Sequence, residues 1–341
     1  MTRGMKAKSY IGILIAGLML SLTACQWKLS GTKSAADSTD VKVGRFDKLL
    51  DEYVSLNSFS ALQKMHTEYP QETKILVEDV LMIGQVGEAD LNARLRSYYA
   101  DTTIQTLMKD ALVKFEDMGP IEKRLTAGFK ALKKEVPQLK VPKVYSQISA
   151  LNQSVVVGEN ILGFSIDKYM GSDYALYHQF YYDYQCRSME PSRIIPDCFM
   201  YYLISEYPFP WGWNRTLLDQ MMHYGKMHWV IAHLLDYDCV EDEIGYTKEE
   251  KAWCQKNKAD VWNYMVQNHH LDETDPMVVR MYIRPAPSTA CFGEDSPFEL
   301  GVWLGTQIIE AYMHKHKEMT IAKLLEETDY RKMLVELQFK I

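Results

Sequence analysis

The sequence lacks the features that would assign it a function quickly. After residue 25, no stretch approaches about 18 consecutive apolar residues, so no transmembrane helix is predicted there. No C-x-x-C pair occurs, which argues against a zinc knuckle or a thiol oxidoreductase. The H-E-x-x-H, phosphate-loop and esterase-elbow motifs are missing as well. We therefore predict a protein that is not an enzyme, with no catalytic residues, no metal site and no cofactor.

Positive charge is also in short supply. The formal net charge is −7, and removal of the three basic residues within 1–24 would move it to −10. This sign disfavours phosphate backbones, and no basic cluster with interleaved aromatic residues offsets it. Nucleic acid is therefore not an expected partner, whereas small ligands and proteins remain possible partners.

The first 24 residues have the pattern of a cleaved signal peptide. Arg3, Lys6 and Lys8 precede an apolar run from Ile11 to Leu22, which is short for a bilayer span of about 20 residues. We predict that residues 1–24 are removed and take no part in the fold.

The run ends in Leu22-Thr23-Ala24-Cys25, which resembles the bacterial lipobox. Cleavage would leave Cys25 as the new N-terminus and the site of lipid attachment, which would anchor the chain to a membrane. The alternative is an ordinary signal peptide with a chance cysteine. Because residue 26 is glutamine rather than aspartate, we expect an outer-membrane location, facing the periplasm.

Composition predicts a tether followed by one large body. Residues 25–43 are rich in serine, threonine, alanine, glycine and aspartate, which is typical of a flexible tether. The body, 44–341, can bury a large core, since 47% of the chain is hydrophobic. Its periodicity divides it into an N-terminal helical part, 44–137, and a β-hairpin plus helical core, 138–341.

Hydrophobic periodicity predicts an α+β fold that is predominantly α-helical with a small antiparallel sheet. Apolar residues recur at helical spacing from Phe46 to Val136, and Pro120 restarts the pattern within that range. The spacing changes to two at 144–148 and again at 162–166, on either side of a valine run and a turn. Helical spacing returns from about Ile194 onward.

Glycines inside apolar helical stripes predict close helix packing. Gly225 lies in one stripe, and Gly301 and Gly305 lie in another, where the missing side chain lets a second helix approach. We expect these glycines to mark helix contacts rather than a recognition surface.

The remaining polar clusters do not have the spacing of metal sites. His223, His228 and His233 are five residues apart, a rotation of about 140° per step, so they cannot converge on one metal from one helix face. We expect surface or packing histidines. The acidic stretch 236–243 lacks the ligand pattern of a calcium loop, and we expect a solvated acidic loop.

Five cysteines remain once Cys25 is lipidated, so at least one stays free or pairs between chains. Cys186 and Cys198 are the nearest pair, and a bridge between them is possible. The remaining three are Cys239, Cys254 and Cys291.

Several stretches, taken in order and spacing, resemble the gliding-motility lipoprotein B (GldB) family of Bacteroidetes. They are 164–177 (FSIDKYMGSDYALY), 193–197 (RIIPD), 218–226 (LDQMMHYGK), 244–250 (IGYTKEE), 274–276 (TDP), 284–287 (RPAP) and 298–312 (FELGVWLGTQIIEAY). The resemblance implies an accessory of the envelope machinery for gliding, which is associated with type IX secretion, and implies no defined reaction.

The same region is also similar to zinc-dependent peptidase-like proteins, in which a hairpin precedes an H-E-x-x-H helix and a later helix supplies a glutamate before glycine. Here the corresponding first helix, 195–204, contains no histidine, and the position before Gly225 is Tyr224. This similarity implies at most a degenerate, metal-free zinc-peptidase-like (zincin-like) core.

Aromatic residues crowd three segments, 180–184, 201–202 and 207–213, and tyrosine and tryptophan are common anchors of interfaces. The candidate interaction surface that we predict is Tyr207, Phe209, Trp211, Trp213, Tyr224 and Lys226.

The expected function is that of a lipid-anchored accessory protein that binds envelope proteins of the gliding or type IX secretion machinery. One alternative is an inactive peptidase-like module that binds peptides. Another is a carbohydrate-binding or nutrient-binding envelope lipoprotein.

Overall fold

A computed structural model of the chain describes residues 39–210, 212 and 215–338. The predicted signal peptide, Cys25, Trp211 and Trp213 lie outside the described residues. Of the predicted tether 25–43, the structure describes residues 39–43, in which Val41 and Val43 are buried.

Helices follow one another along the N-terminal part of the body. Their bounds are α1 (Phe46–Leu56), α2 (Phe59–Thr67), α3 (Pro70–Lys74), α4 (Leu91–Tyr99), α5 (Thr102–Lys114) and α6 (Gly119–Glu135), with a π-helical segment at Ile75–Val80. The helical spacing of the sequence is confirmed, because Phe46, Leu50 and Tyr53 bury one face of α1. Pro120 lies in the first turn of α6, where a missing N–H leaves no helical bond unmade.

A four-stranded sheet adjoins these helices. Its strands are β1 (Val43–Arg45), β2 (Lys143–Gln147), β3 (Val155–Gly158) and β4 (Ile161–Ser165), in the order β1-β2-β4-β3. The predicted hairpin is present as the antiparallel pair β3 and β4. The prediction of an antiparallel sheet is wrong for the rest, because β1 pairs parallel with β2 and β2 pairs parallel with β4. Periodicity identifies strands but not their neighbours, and here β4 lies between β2 and β3.

Helices dominate the second half, as predicted. Their bounds are α7 (Tyr177–Phe180), α8 (Asp183–Cys186), α9 (Ile194–Glu206), α10 (Leu217–Leu234), α11 (Val240–Ile244), α12 (Lys248–Gln267), α13 (Pro276–Ile283), α14 (Leu300–Lys315), α15 (Ile321–Glu326) and α16 (Tyr330–Leu337). The helix α10 begins at a capping box, in which Thr216 accepts from the backbone of Asp219 and the Asp219 carboxylate accepts from the backbone of Thr216.

The helices α10 and α14 pack closely through their glycines. A Cβ placed on Gly225 would lie 2.5 Å from the carbonyl carbon of Gly305, and one on Gly305 would lie 2.0 Å from the carbonyl oxygen of Met221. A Cβ on Gly301 would meet Tyr282 of α13 at 2.8 Å. The prediction that these glycines mark helix contacts is therefore confirmed.

The described residues do not support a zincin-like core, and the five cysteines among them are free, so Cys186 and Cys198 are not bridged. Cys186, Cys198 and Cys254 are buried. Within the described ranges, the helices are too short or too polar for any of them to cross a bilayer.

Candidate functional site

A cleft of about 390 Å³ opens where α9, α10 and the N-terminus of α14 meet. We call it the polar cleft and define it by the side chains that line its charged and aromatic parts, which are Tyr181, Arg193, Asp197, His228, Phe298 and Glu299. These groups come from segments up to about a hundred residues apart in sequence. The cleft is therefore a product of the fold.

Arg193 and Asp197 form the α9 side of the polar cleft. Arg193 is the N-cap residue of α9, and Asp197 follows one turn later. The Nη2 of Arg193 donates to Asp197 Oδ1 at 3.2 Å, and its Nη1 donates to the backbone carbonyl of Glu243. The hydroxyl of Tyr169 donates to Asp197 Oδ2 at 2.9 Å. Both oxygens of Asp197 are thus hydrogen-bonded.

Glu243 of α11 contacts both Arg193, at the start of α9, and His228 of α10. It is fully buried, and its Oε2 lies 2.5 Å from His228 Nδ1. Its Oε1 lies 3.9 Å from Arg193 Nη2 and has no hydrogen-bond partner among the described residues. A buried carboxylate oxygen without a donor is energetically costly, so the negative charge of Glu243 is only partly compensated.

The titration behaviour of the cleft follows from burial and close charges. Burial raises the pKa of Glu299 to about 7, although attraction to His228, Arg193 and Arg284 opposes the shift. Burial likewise raises the pKa of Asp197 against the attraction of Arg193. Burial lowers the pKa of His228, but the charge and hydrogen bond of Glu243 outweigh that effect and leave it raised. The protonation state of Glu299 therefore changes near neutral pH.

Glu299 has an unusual backbone at the start of α14. Its φ is 51°, in the left-handed region that residues other than glycine seldom adopt, and its carbonyl accepts from the backbone N–H of Trp303 at 3.1 Å. A carboxylate at a helix N-terminus is favoured by the helix dipole. The fold thus holds this acidic side chain at the polar cleft despite backbone strain.

Aromatic and proline side chains form the walls of the cleft. Tyr181 donates to the carbonyl of Leu151 at 2.8 Å and accepts from Lys168 Nζ at 2.8 Å. Arg187 pairs with Glu250, and its guanidinium lies 4.9 Å from the ring centre of Phe298. Pro285 and Pro287 add rigid apolar surface on the open side. The cleft thus combines charged groups with apolar walls, as small binding sites do.

The described side chains of the polar cleft do not form a set that could coordinate a metal ion. Among the residues that the structure describes, no group of three or more histidine, cysteine, aspartate or glutamate side chains has the arrangement of a metal site. A hydrolytic zinc site needs three protein ligands and an open position. The cleft instead holds the basic side chains Lys168, Arg187, Arg193 and His228.

Four of the six residues predicted as an interaction surface are described by the structure, and these four do not lie together on the surface. Lys226 is fully buried and donates to the carbonyls of Leu325 at 3.0 Å and Glu327 at 2.9 Å. Phe209 is also buried, and its ring packs against His223. Tyr207 and Tyr224 are half-buried. Lys226 and Phe209 therefore belong to the interior, because their apolar parts fill space beside α10.

Of two expectations about polar clusters, burial corrects one and the other is confirmed. The acidic stretch 236–243 is not a wholly solvated loop, because Glu241 and Glu243 point inward from α11, and Glu241 accepts from the Trp303 indole at 2.9 Å. The histidines do not converge, as predicted. His223 packs in the interior with Nδ1 2.9 Å from the Tyr330 hydroxyl, whereas His228 lies in the polar cleft.

Sequence reasoning did not identify the polar cleft, although a signal for it was present. Five of the seven stretches that carry the family resemblance supply lining residues. Lys168, Arg193 with Asp197, Gly245, Pro285 with Pro287, and Phe298 with Glu299 come from them. Stretches that are distant in sequence but meet at one cleft are what a shared binding site would leave in a sequence.

Comparison with known proteins gives a family match. A family model described as gliding motility protein GldB matches residues 28–341, almost the whole chain. No curated protein and no solved structure matches the chain.

Proposed function

Because the chain belongs to the GldB family of gliding motility proteins, we propose that it is an accessory lipoprotein of the gliding and type IX secretion envelope machinery. In this proposal, lipid on Cys25 anchors it in the outer membrane, and the body faces the periplasm. It acts by binding other envelope proteins rather than by catalysing a reaction.

The family match over residues 28–341 is the observation that carries the proposal. The polar cleft supports the binding role, since the stretches behind the resemblance meet there. Its Arg193 is held by Asp197 and its His228 by the buried Glu243, and its walls include aromatic and apolar side chains, an arrangement suited to recognition.

The test is co-purification from a gliding host. An epitope-tagged chain is cross-linked in intact cells, extracted with mild detergent, and its partners are identified by mass spectrometry. We expect outer-membrane components of the gliding or secretion machinery. Recovery of the chain alone after efficient cross-linking would count against the proposal.

A lipidation arm tests the anchor separately. Cells that express Cys25→Ser should release the chain from the membrane fraction and lose incorporation of an alkyne-labelled fatty acid. Colony spreading, measured in parallel, should fall to the level of a deletion strain. A Cys25→Ser chain that still labels and still sediments with the outer membrane would contradict the predicted anchor.

A further inference from the structure

The helix α6 carries basic side chains on the side that faces away from the core. Its other side is buried through Leu125, Phe129 and Leu132. Three lysines of the outer side lie within an arc of about 40°, since each residue advances an α-helix by about 100°. Two further basic residues flank them. The basic face that we define from these five exposed or half-exposed side chains is Lys123, Arg124, Lys130, Lys133 and Lys134.

The charge of this region is opposite to that of the chain as a whole. Residues 119–143 contain seven lysine and arginine residues and two glutamates, a formal charge of +5, whereas the chain without residues 1–24 carries −10. Lysines four residues apart on a helix, such as Lys130 and Lys134, repel each other. The helix dipole favours lysine in the last turn, but it does not favour Lys123 and Arg124 nearer the N-terminus. Helix stability alone therefore does not account for the basic face.

The charge of the basic face is only partly neutralised. The two acids of α6, Glu122 and Glu135, lie about 100° or more around the helix from the lysine stripe. Among the residues that the structure describes, Lys123, Arg124 and Lys134 have no acidic partner at ion-pair distance. Each lysine or arginine close to an anionic membrane surface strengthens binding about five-fold. The unpaired charges of this face are thus sufficient for a substantial attraction to such a surface.

The polypeptide that leads to Cys25 passes along the basic face. The backbone N–H of Val41 donates to Thr126 Oγ1 of α6 at 2.9 Å, and Asp40 Oδ1 accepts from Lys130 Nζ at 2.6 Å. Residues 26–38 connect this point to the predicted site of lipid attachment, and thirteen residues span at most about 45 Å. A lipid on Cys25 would therefore keep the basic face within reach of the membrane surface.

The helix α9 lies between α6 and the polar cleft. The ring centre of Phe199 is 4.7 Å from that of Phe129 in α6, and Asp197, two positions earlier in α9, lines the cleft. Two positions correspond to a rotation of about 200°, so the contact with α6 and the cleft lie on opposite sides of α9. A surface that covers the basic face would therefore leave the polar cleft open.

We propose that the basic face of α6 docks on the anionic phospholipid headgroups of the membrane that anchors the chain, and that docking turns the polar cleft away from the membrane, toward partner proteins. The proposal rests on the lipid anchor of the proposed function. Because the anchor holds the basic face near the headgroups, contacts that are weak singly are sufficient. The route of the polypeptide from α6 toward Cys25 favours the membrane over an acidic protein as the occupant.

The experiment measures acetylation of individual lysines in the full lipidated chain, reconstituted in vesicles of phosphatidylcholine with or without about one third phosphatidylglycerol. An uncharged reagent is used, and each site is quantified by mass spectrometry. We expect acetylation of Lys123, Lys130 and Lys134 to slow about 10-fold in the anionic vesicles. Lys64 of α2 and Lys256 of α12, which are also exposed, should change less than about two-fold. Molar salt should abolish the difference, because the Debye length falls to about 3 Å.

Two results would overturn the proposal. The first is equal acetylation of the basic face in both kinds of vesicle, or equal slowing at every exposed lysine. The second is protection that appears in native envelope vesicles but not with phosphatidylglycerol, which would assign the basic face to a partner other than the membrane.

Charge-matched variants assign the effect to α6. A chain with Cys25→Ser binds vesicles reversibly, so that sedimentation measures its affinity. Adding Lys123→Gln, Lys130→Gln and Lys134→Gln should weaken binding to phosphatidylglycerol vesicles about 100-fold, at about five-fold per charge. The control makes the same change at three exposed lysines of other helices, Lys64, Lys256 and Lys332.

The control variant should lose less than about three-fold, because its charges lie beyond the Debye length of the docked surface. Equal losses in the two variants, or no preference of the Cys25→Ser chain for anionic vesicles, would contradict docking through α6. Urea unfolding verifies that both variants are folded, which is expected because all six positions are exposed.

Failure of this proposal is distinguishable from failure of the proposed function. A chain that incorporates fatty acid but shows no protection of the basic face would refute docking and leave the anchor standing. A chain that binds phosphatidylglycerol vesicles through the basic face but incorporates no fatty acid in cells would refute the predicted anchor alone.

Discussion

The helix α10 borders two regions that differ in almost every physical respect. On one side it packs on α14 through Gly225 and Gly305, with no room for a methyl group. On another side His228 lies in the polar cleft, where hydrogen-bonded charges surround open volume. One helix thus borders both a tightly packed contact and an open cleft.

The packed contact explains how the cleft keeps its shape. Binding residues must be held by elements that do not themselves move, and a glycine-mediated helix contact is a rigid support. His228 is three residues from Gly225, so the position of its ring depends on the α10–α14 contact. Glu299 immediately precedes α14 and depends on the same contact from the other helix.

The largest effect is expected from breaking the helix contact. In Gly305→Ala, the new Cβ would meet the Met221 carbonyl oxygen at 2.0 Å, and backbone cannot yield as a side chain can. We expect a loss of about 3 kcal/mol in the free energy of unfolding, at the upper end for overpacking, measured by urea denaturation. Gly212→Ala is the control, since its added Cβ would meet nothing within 4 Å. Equal stability of the two variants would show that α10 and α14 are not in close contact.

A smaller loss is expected from the charged side of the comparison. Glu243→Gln keeps the shape of the buried side chain but removes the charge that His228 and Arg193 contact. We expect about 2 kcal/mol of destabilisation, the order for a charge-assisted hydrogen bond, from chemical denaturation at neutral pH. The control is Glu294→Gln, which alters an exposed glutamate. A Glu243→Gln variant as stable as that control would mean that the buried cluster contributes no net stability.

The same contrast explains which parts of the molecule could be predicted from sequence. The sequence predicts helix contacts at Gly225 and Gly305, because a small residue within an apolar helical stripe can be recognised from its neighbours in sequence alone. Arg193, His228 and Glu299 were not identified, because each alone is an ordinary polar residue and only the fold shows that the three line one cleft. Glu243 was expected in solvent, because only the fold shows that it is buried. The alternation of apolar residues predicts where strands lie in the sequence. It does not predict that β2 pairs parallel with both β1 and β4, because that depends on which segments meet in space.

The buried Lys226 offers a pH test on the packed side of α10. Burial lowers the pKa of Lys226 to about 7, although attraction to Glu327 opposes the shift. The unfolded chain, with a pKa near 10.5, binds more protons between these values, so stability should rise with pH above 7. Between roughly pH 7 and 8 we expect a gain of about 1 kcal/mol in wild type relative to Lys226→Met.

Urea denaturation of both proteins at each pH measures this difference and cancels the titration of other groups. Should the two proteins change in parallel, Lys226 would titrate alike in the folded and unfolded chains. That result would contradict its burial against the carbonyls of Leu325 and Glu327.

The smallest effect is expected at Phe180, an exposed residue at the end of α7. Phe180 is 61% exposed, so Phe180→Ala should change the free energy of unfolding by less than about 0.5 kcal/mol. The matched control is Phe199→Ala, because Phe199 is fully buried with its ring centre 4.7 Å from that of Phe129, and it should cost about 3 kcal/mol or more. A phenylalanine that costs nothing to remove contributes little to the fold. A large loss of stability in Phe180→Ala would instead show that this ring is part of the packed body.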